Sequence, residues 1–309
     1  MNLPAQTDIG SKVTVRLHDP EGGYRDILGI LETTTAVRKR SGELAHFDPA
    51  KIHIWKIIPT INHSAGTGAP LSLRIAELEE AAAATWPAAE SVDFGGWRYR
   101  TSEGFTFRAN SILPIGKAPL GEPPFGLEAA TSHAIAYFKE RGLLPAFHLP
   151  LPGFGALDQY LADCGWELTV EAHVMIADRA ELKFSNEPLE FWIGTAPTPA
   201  WLSVQGEDRA GPIMSRYPAK YVGLRVADQD VAVGRLAEAD GWAILTRIFV
   251  KPEFRGRGFG AAVIKELVSQ SGCEKIALQV DISNLPAIDL YKKMGFRVHH
   301  NYRYRTWRR

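Results

Sequence analysis

The sequence contains the stretch Phe249-Val250-Lys251-Pro252-Glu253-Phe254-Arg255-Gly256-Arg257-Gly258-Phe259-Gly260, which joins a predicted strand to a predicted helix. The apolar residues from Trp242 to Val250 predict the strand, and helical spacing from Gly260 to Val268 predicts the helix. Glycines at the start of a helix let the backbone approach a ligand closely. The first-turn amides have no partners within the helix and carry partial positive charge. The stretch therefore predicts a loop that binds phosphate or pyrophosphate.

Two other glycine-rich motifs are excluded by spacing. A P-loop requires Gly-Lys-Ser or Gly-Lys-Thr, which does not follow here. A dinucleotide fingerprint has a different glycine spacing and an acidic residue at the end of a following strand. This sequence has neither that spacing nor that acidic residue.

A second stretch follows about thirty residues later: Asn284-Leu285-Pro286-Ala287-Ile288-Asp289-Leu290-Tyr291-Lys292-Lys293-Met294-Gly295-Phe296. The first stretch, read as Val-x-Pro-x-x-Arg-Gly-x-Gly-x-Gly, resembles the coenzyme A pyrophosphate loop of the GNAT N-acetyltransferase superfamily. The second resembles that family's other signature, Asn-x-x-Ala-x-x-Leu-Tyr-x-Lys-x-Gly-Phe. The resemblance covers roughly residues 185–309 and implies acetyl transfer from acetyl-CoA without a metal.

The resemblance implies which residues hold acetyl-CoA. The backbone of the loop would bind the pyrophosphate, and the end of the strand would pair with the pantetheine amides like an added strand. The thioester would sit where this strand splays from Ala277–Val280. Asn284 would hydrogen-bond the pantetheine arm or cap the helix that follows. The implied cofactor-binding residues are Ile248, Phe249, Val250, Arg255, Gly256, Arg257, Gly258, Phe259, Gly260, Ala261 and Asn284.

Tyr291 is the candidate catalytic residue. In the family this tyrosine lies near the thioester sulfur and can protonate the departing thiolate, and a phenol of pKa about 10 is a suitable donor. The alternative is a helix tyrosine whose ring packs against the sheet. Many relatives place a basic glutamate on the long strand, but Ile244 stands there, and Glu238 and Asp240 lie near a hairpin. We therefore assign no general base.

The N-terminal residues 1–60 alternate short apolar runs with turns such as Gly22-Gly23 and Ser41-Gly42. This pattern predicts a small closed β-barrel of the SH3-like type, followed by a linker over 62–70. The three-part layout resembles an actinobacterial branch of the family that carries an SH3-like N-terminal domain and is often labelled histone-acetyltransferase-like. The label does not establish a histone substrate.

Residues 71–180 and 185–309 show the same order of predicted elements. Gly165-Trp166 and Gly295-Phe296 lie 130 residues apart, the difference between 295 and 165. A helix, a strand, a second helix and a second strand of residues 71–180 align with those of residues 185–309 at this single offset. Any two α/β units share such an alternation of helices and strands. We predict an α/β (α+β) chain with tandem GNAT-type mixed-sheet units, the first of them degenerate. The first unit lacks the glycine-rich loop, because Phe125, Glu128 and Ala130 align with Arg255, Gly258 and Gly260 at this offset. Leu161 aligns with Tyr291.

Composition restricts the partners and the compartment. The 309 residues include 35 basic and 35 acidic ones, so net charge gives no argument for nucleic acid. We expect a cytoplasmic protein, since no apolar run could cross a membrane, no signal peptide begins the chain, and Cys164 and Cys273 are isolated. The arginines and aromatics of Arg297–Arg309 would bind nucleic acid, bind the 3′-phosphate of CoA or form an edge strand, and we favour the edge strand.

The function predicted from the sequence is acetyl transfer from acetyl-CoA to a primary amine. The acceptor is a small amine or amino compound, or a protein lysine or N-terminus. The alternative is a CoA-binding regulatory protein without turnover, which the isoleucine at position 244 favours. A nucleic-acid-associated module is the third class, and neutral charge argues against it. Neither the acceptor nor the oligomeric state follows from the sequence.

Overall fold

The computed structural model describes residues 3–19, 22–39, 43–57, 68–184, 188–206 and 210–308. The chain divides into two compact units, residues 1–63 and 64–309. The predicted linker over 62–70 lies mostly outside the described residues. No helix in the described ranges is long and apolar enough to span a bilayer.

The first unit is a five-stranded antiparallel sheet with the order β4-β3-β2-β1-β5. Alternating residues on β1 and its neighbours, among them Val13, Val15 and Leu31, form its core. In the part of this unit that the structure describes, β4 and β5 are edges that do not pair, so the predicted closed barrel is not found. The strands are β1 (Lys12–His18), β2 (Tyr24–Thr33), β3 (Ala36–Lys39), β4 (Leu44–His46) and β5 (Ile52–Ile57).

The second unit is a mixed sheet of eleven strands with helices on both faces. Its first half comprises α1 (Leu71–Ala84), β6 (Glu90–Phe94), β7 (Trp97–Thr101), β8 (Ser111–Pro114), α2 (Leu127–Lys139), β9 (Ala146–Leu151), α3 (Gly155–Asp163) and β10 (Glu167–Asp178). Its second half comprises β11 (Glu190–Gly194), α4 (Pro199–Gln205), α5 (Ala210–Met214), β12 (Lys220–Val226), β13 (Gln229–Ala239), β14 (Trp242–Val250), α6 (Phe259–Ser269), β15 (Lys275–Asp281), α7 (Leu285–Met294) and β16 (Arg297–Thr306). The predicted mixed α/β class is confirmed.

The two halves exchange their last strands. The sheet order is β11-β12-β13-β14-β15-β10-β16-β9-β8-β7-β6. β10, from the first half, pairs antiparallel with β15 of the second half, and β16 pairs antiparallel with β9 of the first half. β10 and β16 pair with each other at the centre, where Val174 lies opposite both Gln279 and His300. Each half therefore completes the sheet of the other.

Element bounds in the two halves agree at the offset read from the sequence. α2, β9, α3 and β10 begin at residues 127, 146, 155 and 167, and α6, β15, α7 and β16 begin at 259, 275, 285 and 297. Each pair of starts differs by 130 residues to within two. Each half also has one parallel strand pair, β8 with β9 and β14 with β15.

The arginine-rich C-terminal strand is central, so the expected edge strand is wrong. β16 lies between β10 and β9, and its tyrosines, Tyr302 and Tyr304, are buried. Arg303 and Arg305 both pair with Asp158 of α3, at 2.8 and 2.5 Å. Arg303 also contacts Glu171. These two arginines of β16 thus hold α3 and β10 against their strand through ion pairs.

Candidate active site

The site is built around the parallel pair β14 and β15, which separates partway along. Pairing runs from Trp242–Lys275 to Leu245–Leu278 and then ends. Residues 246–250 of β14 continue without a partner on that side, whereas β15 stays paired with β10 as far as Asp281. The backbone edge of 246–250 therefore faces a gap between two strands of one sheet, as an unpaired strand edge does.

A β-bulge on the other side of β14 helps to bend it away. Arg235 of β13 pairs with Thr246 and Val233 pairs with Phe249, so β14 has one extra residue between these pairs. Arg247 in the bulge has a φ of 58°, which is unusual for a side chain larger than glycine. Gln205 of α4 donates from Nε2 to the Arg247 carbonyl oxygen at 2.7 Å. Bulges of this kind commonly re-aim a strand beside a functional site.

The glycine-rich loop joins the end of β14 to α6. Gly256 and Gly258 have φ angles of 76° and 79°, in the left-handed region, and Gly258 is the N-cap of α6. A Cβ atom on either glycine would meet no atom within 4 Å. The glycines are thus required by backbone conformation, while the space beside the first helical turn stays open. The unbonded first-turn amides face a site suited to an anion.

Arg255 braces this loop with its side chain. Its Nε donates to the carbonyl oxygen of Val250 at 3.1 Å, and its guanidinium lies 5.6 Å from the centre of the Phe249 ring. The loop is therefore tied to the end of β14. A cavity of about 230 Å³ adjoins the loop, lined by Pro188, Leu189, Phe191, Gly258, Ala262, Lys265 and Glu266.

Helix α7 brings the second predicted group of residues to the same place. A Cβ on Gly260 would lie 3.3 Å from Leu290 of α7, so the two helices approach closely there. Asn284 caps α7, since its Oδ1 accepts from the Ala287 amide at 3.3 Å. The structure thus shows the capping role, and the role toward pantetheine stays a prediction. Ile248, Val250, Phe259 and Ala261 pack on the same cluster as Tyr291.

Tyr291 is 7% exposed, and its ring packs edge-on against Phe296 with centroids 5.9 Å apart. Burial raises the pKa of the Tyr291 phenol to about 12, so it stays protonated throughout the neutral range. Among the described residues none hydrogen-bonds to its hydroxyl. The ring of Tyr291 therefore packs in the core, as the packing interpretation expects, and its hydroxyl remains available to donate a proton.

A cleft of about 300 Å³ lies at the gap, and sequence reasoning missed it. Both halves of the second unit contribute to it, because β10 and β16 run beside β15. Only the alternation of Tyr302 and Tyr304 hinted at an inward-facing pair. Its lining residues are Trp86, Thr106, Phe107, Arg108, Val170, Ala172, Leu245, Thr246, Arg247, Gln279, Val280, Asp281, Tyr302 and Tyr304.

Arg235 of β13 is fully buried and connects two walls of this cleft. Its guanidinium donates to the carbonyl oxygen of Thr85 at 3.1 Å and to the Thr246 hydroxyl at 3.4 Å. It also lies 5.4 Å from the centre of the Trp86 ring. Because Trp86 and Thr246 come from different halves, Arg235 fixes their relative positions.

No carboxylate replaces the missing glutamate on β14. Ile244 is 1% exposed and packs in the core beside α1. Glu238 lies at the opposite end of β14 from the gap, paired with Ala243. There it accepts from the Ser271 hydroxyl and the Gly272 amide, and the first of these bonds lowers the pKa of its carboxyl. In the ranges that the structure describes, no cluster of three or more His, Cys, Asp or Glu residues is arranged to bind a metal.

Known proteins match most of this unit. A family model described as "Probable histone acetyltransferase Rv0428c C-terminal" matches residues 73–305. The uncharacterized N-acetyltransferase YobR of Bacillus subtilis is 31% identical over 76% of this chain and 99% of its own. The probable histone acetyltransferase Rv0428c of Mycobacterium tuberculosis is 26% identical over 96% of this chain and 94% of its own.

A solved structure shows the same fold. A GCN5-related N-acetyltransferase from Kribbella flavida superposes with a TM-score of 0.60, covering 75% of this chain and 95% of its own. It is 14% identical, so the likeness is one of fold. All the predicted site residues lie within the range that the family model matches.

Proposed function

The chain belongs to the family of the Rv0428c C-terminal domain, within the GNAT N-acetyltransferase superfamily, and we propose that it moves acetyl from acetyl-CoA directly to a primary amine. Membership of this superfamily makes the chain an acetyltransferase. The word histone in the family's description concerns a relative and does not set the acceptor here.

The observation that carries the proposal is the end of β14–β15 pairing at Leu245–Leu278, immediately before the glycine-rich loop. A pantetheine arm has amides that fit an unpaired strand edge, as in other cases of strand addition. The pyrophosphate at one end of the arm would then reach the amides of Arg255–Ala261. The thioester at the other end would reach the gap, with the cleft on the far side.

In this reaction an N–C bond forms to the acetyl carbon and the C–S bond of the thioester breaks. The amine loses a proton and the departing thiolate gains one. We propose that Tyr291 donates to the thiolate, because its phenol is protonated at neutral pH and its hydroxyl has no partner among the described residues. The amine enters from the cleft in its neutral form, since an ammonium has no lone pair.

We also propose that residues 71–180 and 185–309 are two copies of one GNAT-type unit, with residues 1–60 as an SH3-like module. The first copy would not hold CoA. Glu128 in the first turn of α2 stands where Gly258 stands in the second copy, and its carboxylate would repel a pyrophosphate.

Calorimetric titration of the full chain with CoA tests the cofactor site. We expect one CoA per chain, strong loss of affinity in Gly258→Asp, and a smaller loss in Gly258→Ala. Both variants carry the strain of a side chain at φ 79°, and only the aspartate adds a charge beside the pyrophosphate. Equal affinity in wild type and Gly258→Asp would remove the basis of the proposal.

Turnover separates the enzyme from a CoA-binding regulator. The buried isoleucine at position 244 is the observation that favours a regulator, since no carboxylate stands there to accept the amine proton. Thiol release from acetyl-CoA in the presence of amines supports the enzyme. Tight CoA binding with no thiol release across small amines, lysine peptides and free N-termini would favour the regulator.

A further inference from the structure

We propose that the acceptor is a small amine that also carries a carboxylate, with Arg108 and Tyr304 binding the carboxylate and Gln279 binding the amine end. This inference rests on the proposed acetyl transfer and names the acceptor class for the same site. It chooses the small amino compound over the protein lysine or N-terminus.

Buried polar atoms in the cleft that find no hydrogen-bond partner in the described part of the chain include Nη1 of Arg108, Oε1 of Gln279 and the hydroxyl of Tyr304. Tyr304 is 4% exposed, and all three residues line the cleft. A buried polar atom left unpaired costs about 1–3 kcal/mol, so such atoms in one cavity point to a ligand that satisfies them.

Arg108 is the strongest of the three, because it carries a charge. It has no ion pair among the described residues, and the acid whose charge it influences, Glu79, is already engaged by His300 at 2.8 Å. The buried Nη1 of Arg108 has no acceptor, and a charged donor left without an acceptor is unfavourable. A carboxylate is the ligand group that matches its planar donor geometry.

The chemistry of the three atoms describes an amino acid-like molecule. Arg108 can only donate, Tyr304 can donate, and the amide oxygen of Gln279 can only accept. A carboxylate supplies the acceptors, and an amine supplies the donor. Gln279 lies on β15 immediately after Leu278, the last residue that pairs with β14, so the amine end would face the gap where the thioester is proposed to lie.

The rest of the cleft fits the body of such a molecule. Aromatic rings of Trp86, Phe107 and Tyr302 line it, and its volume of about 300 Å³ suits a small ligand. A protein lysine would place a methylene chain here but leave Arg108 unpaired.

Acceptor pairs that differ only in the carboxylate test the proposal. Thiol release from acetyl-CoA by the full chain would be compared for phenylalanine and phenylalaninamide, and for ω-amino carboxylates of one to six methylenes and their amides. We expect the acid of the best pair to exceed its amide in kcat/KM by about tenfold to a hundredfold, the effect of one charge-assisted hydrogen bond.

Variants at Arg108 identify the group responsible. Arg108→Gln should abolish the preference for the acid, and Arg108→Lys should retain part of it because the charge stays. Arg141→Gln is the matched control, since Arg141 is exposed, follows the end of α2 and stacks on Tyr137 of that helix. The control should keep both the preference and the rate. CoA calorimetry on each variant checks that the cofactor site is intact.

A binding measurement makes the outcome independent of turnover. The full chain would be titrated with 3-phenylpropionate and with 3-phenylpropanamide, following Trp fluorescence. Tighter binding of the acid in wild type, lost in Arg108→Gln, supports the proposal. Equal binding of acid and amide, or a preference that survives Arg108→Gln, overturns it. If CoA binds and only neutral amines or lysine peptides are acetylated, this inference fails while the proposed function stands.

Discussion

His300 of β16 hydrogen-bonds through Nε2 to Oε1 of Glu79 at 2.8 Å, although 221 residues separate them in the sequence. Glu79 lies on α1 and is 4% exposed, and His148 of β9 lies 3.5 Å from its other oxygen. A carboxylate from the first helix is thus buried against β16 of the second half and β9 of the first half. This cluster fixes α1 on the sheet beneath the cleft.

Glu79→Gln should lower the free energy of unfolding by about 1–3 kcal/mol, the usual effect of disturbing a buried hydrogen-bonded group. The amide keeps the shape but loses the charge that accepts from His300 and that Arg108 stabilises. Glu80→Gln is the control, because that neighbour is half exposed and pairs with Arg98 at the surface. Urea denaturation measures both. Equal effects at the two positions would contradict a structural role for the buried carboxylate.

The same cluster predicts a loss of stability in acid. Burial lowers the pKa of His148 to about 3, and Arg100 donates to its Nδ1 at 3.3 Å, which requires the neutral ring. Unfolded His148 takes up its proton near pH 6.5. Between pH 6.5 and 3 the unfolded state therefore binds more protons, and the free energy of unfolding falls as the pH falls.

Glu79 extends this loss to lower pH. Burial by itself would raise the pKa of the Glu79 carboxyl. His148 and His300 together outweigh burial and lower the pKa to about 2. Its contribution is complete above its unfolded pKa and is lost as the pH falls toward 2. Urea midpoints from pH 8 to pH 4 test the histidine part. His148→Gln should flatten the decline, whereas His133→Gln, at an exposed position on α2, should leave the slope unchanged.

The strand exchange was not predictable from the sequence. The offset of 130 identified equivalent elements, because helix and strand periodicity and the Gly-Trp and Gly-Phe pairs are local signals. Which β-strand lies next to which is decided by contacts between distant residues. Val174 has the same apolar character whether it pairs with its own half or the other. The strand containing Tyr302 likewise reads as an edge or a centre.

The exchange predicts that the two halves of the second unit fold together. Residues 185–309 expressed alone lack β10, which lies between β15 and β16. We expect this fragment to show no cooperative unfolding and no CoA binding, and co-expression with residues 64–184 to restore both. Residues 64–309 are the control, since the compact unit begins at residue 64. A monomeric fragment 185–309 with the CoA affinity of the full chain would contradict this prediction.

The cofactor side of the site could be read from the sequence, and the cleft could not. The loop glycines and Tyr291 stand in contiguous stretches, where a few residues are enough to indicate a strand, loop and helix. Arg108 stands in no motif, and Gln279 and Tyr304 become its neighbours through the exchanged strands. Only the assembled sheet shows that their polar atoms share one cavity.

The last prediction concerns Tyr291. Tyr291→Phe should keep the fold and the CoA affinity, because the ring packing is retained and the hydroxyl bonds to none of the described residues. If the phenol protonates the thiolate, kcat should fall by about tenfold to a thousandfold. Tyr99→Phe is the matched control, a buried tyrosine of the first half whose hydroxyl is also without a described partner. It should leave kcat unchanged.

The kinetic constants separate three roles for Tyr291. A packing role predicts almost no loss, and a role in orienting the cofactor predicts a raised KM for acetyl-CoA at nearly constant kcat. Slow release of CoA would hide a chemical defect in steady-state turnover, so the comparison must include single-turnover rates. If those also match wild type, the hydroxyl is not the acid, and the departing thiolate takes its proton from water.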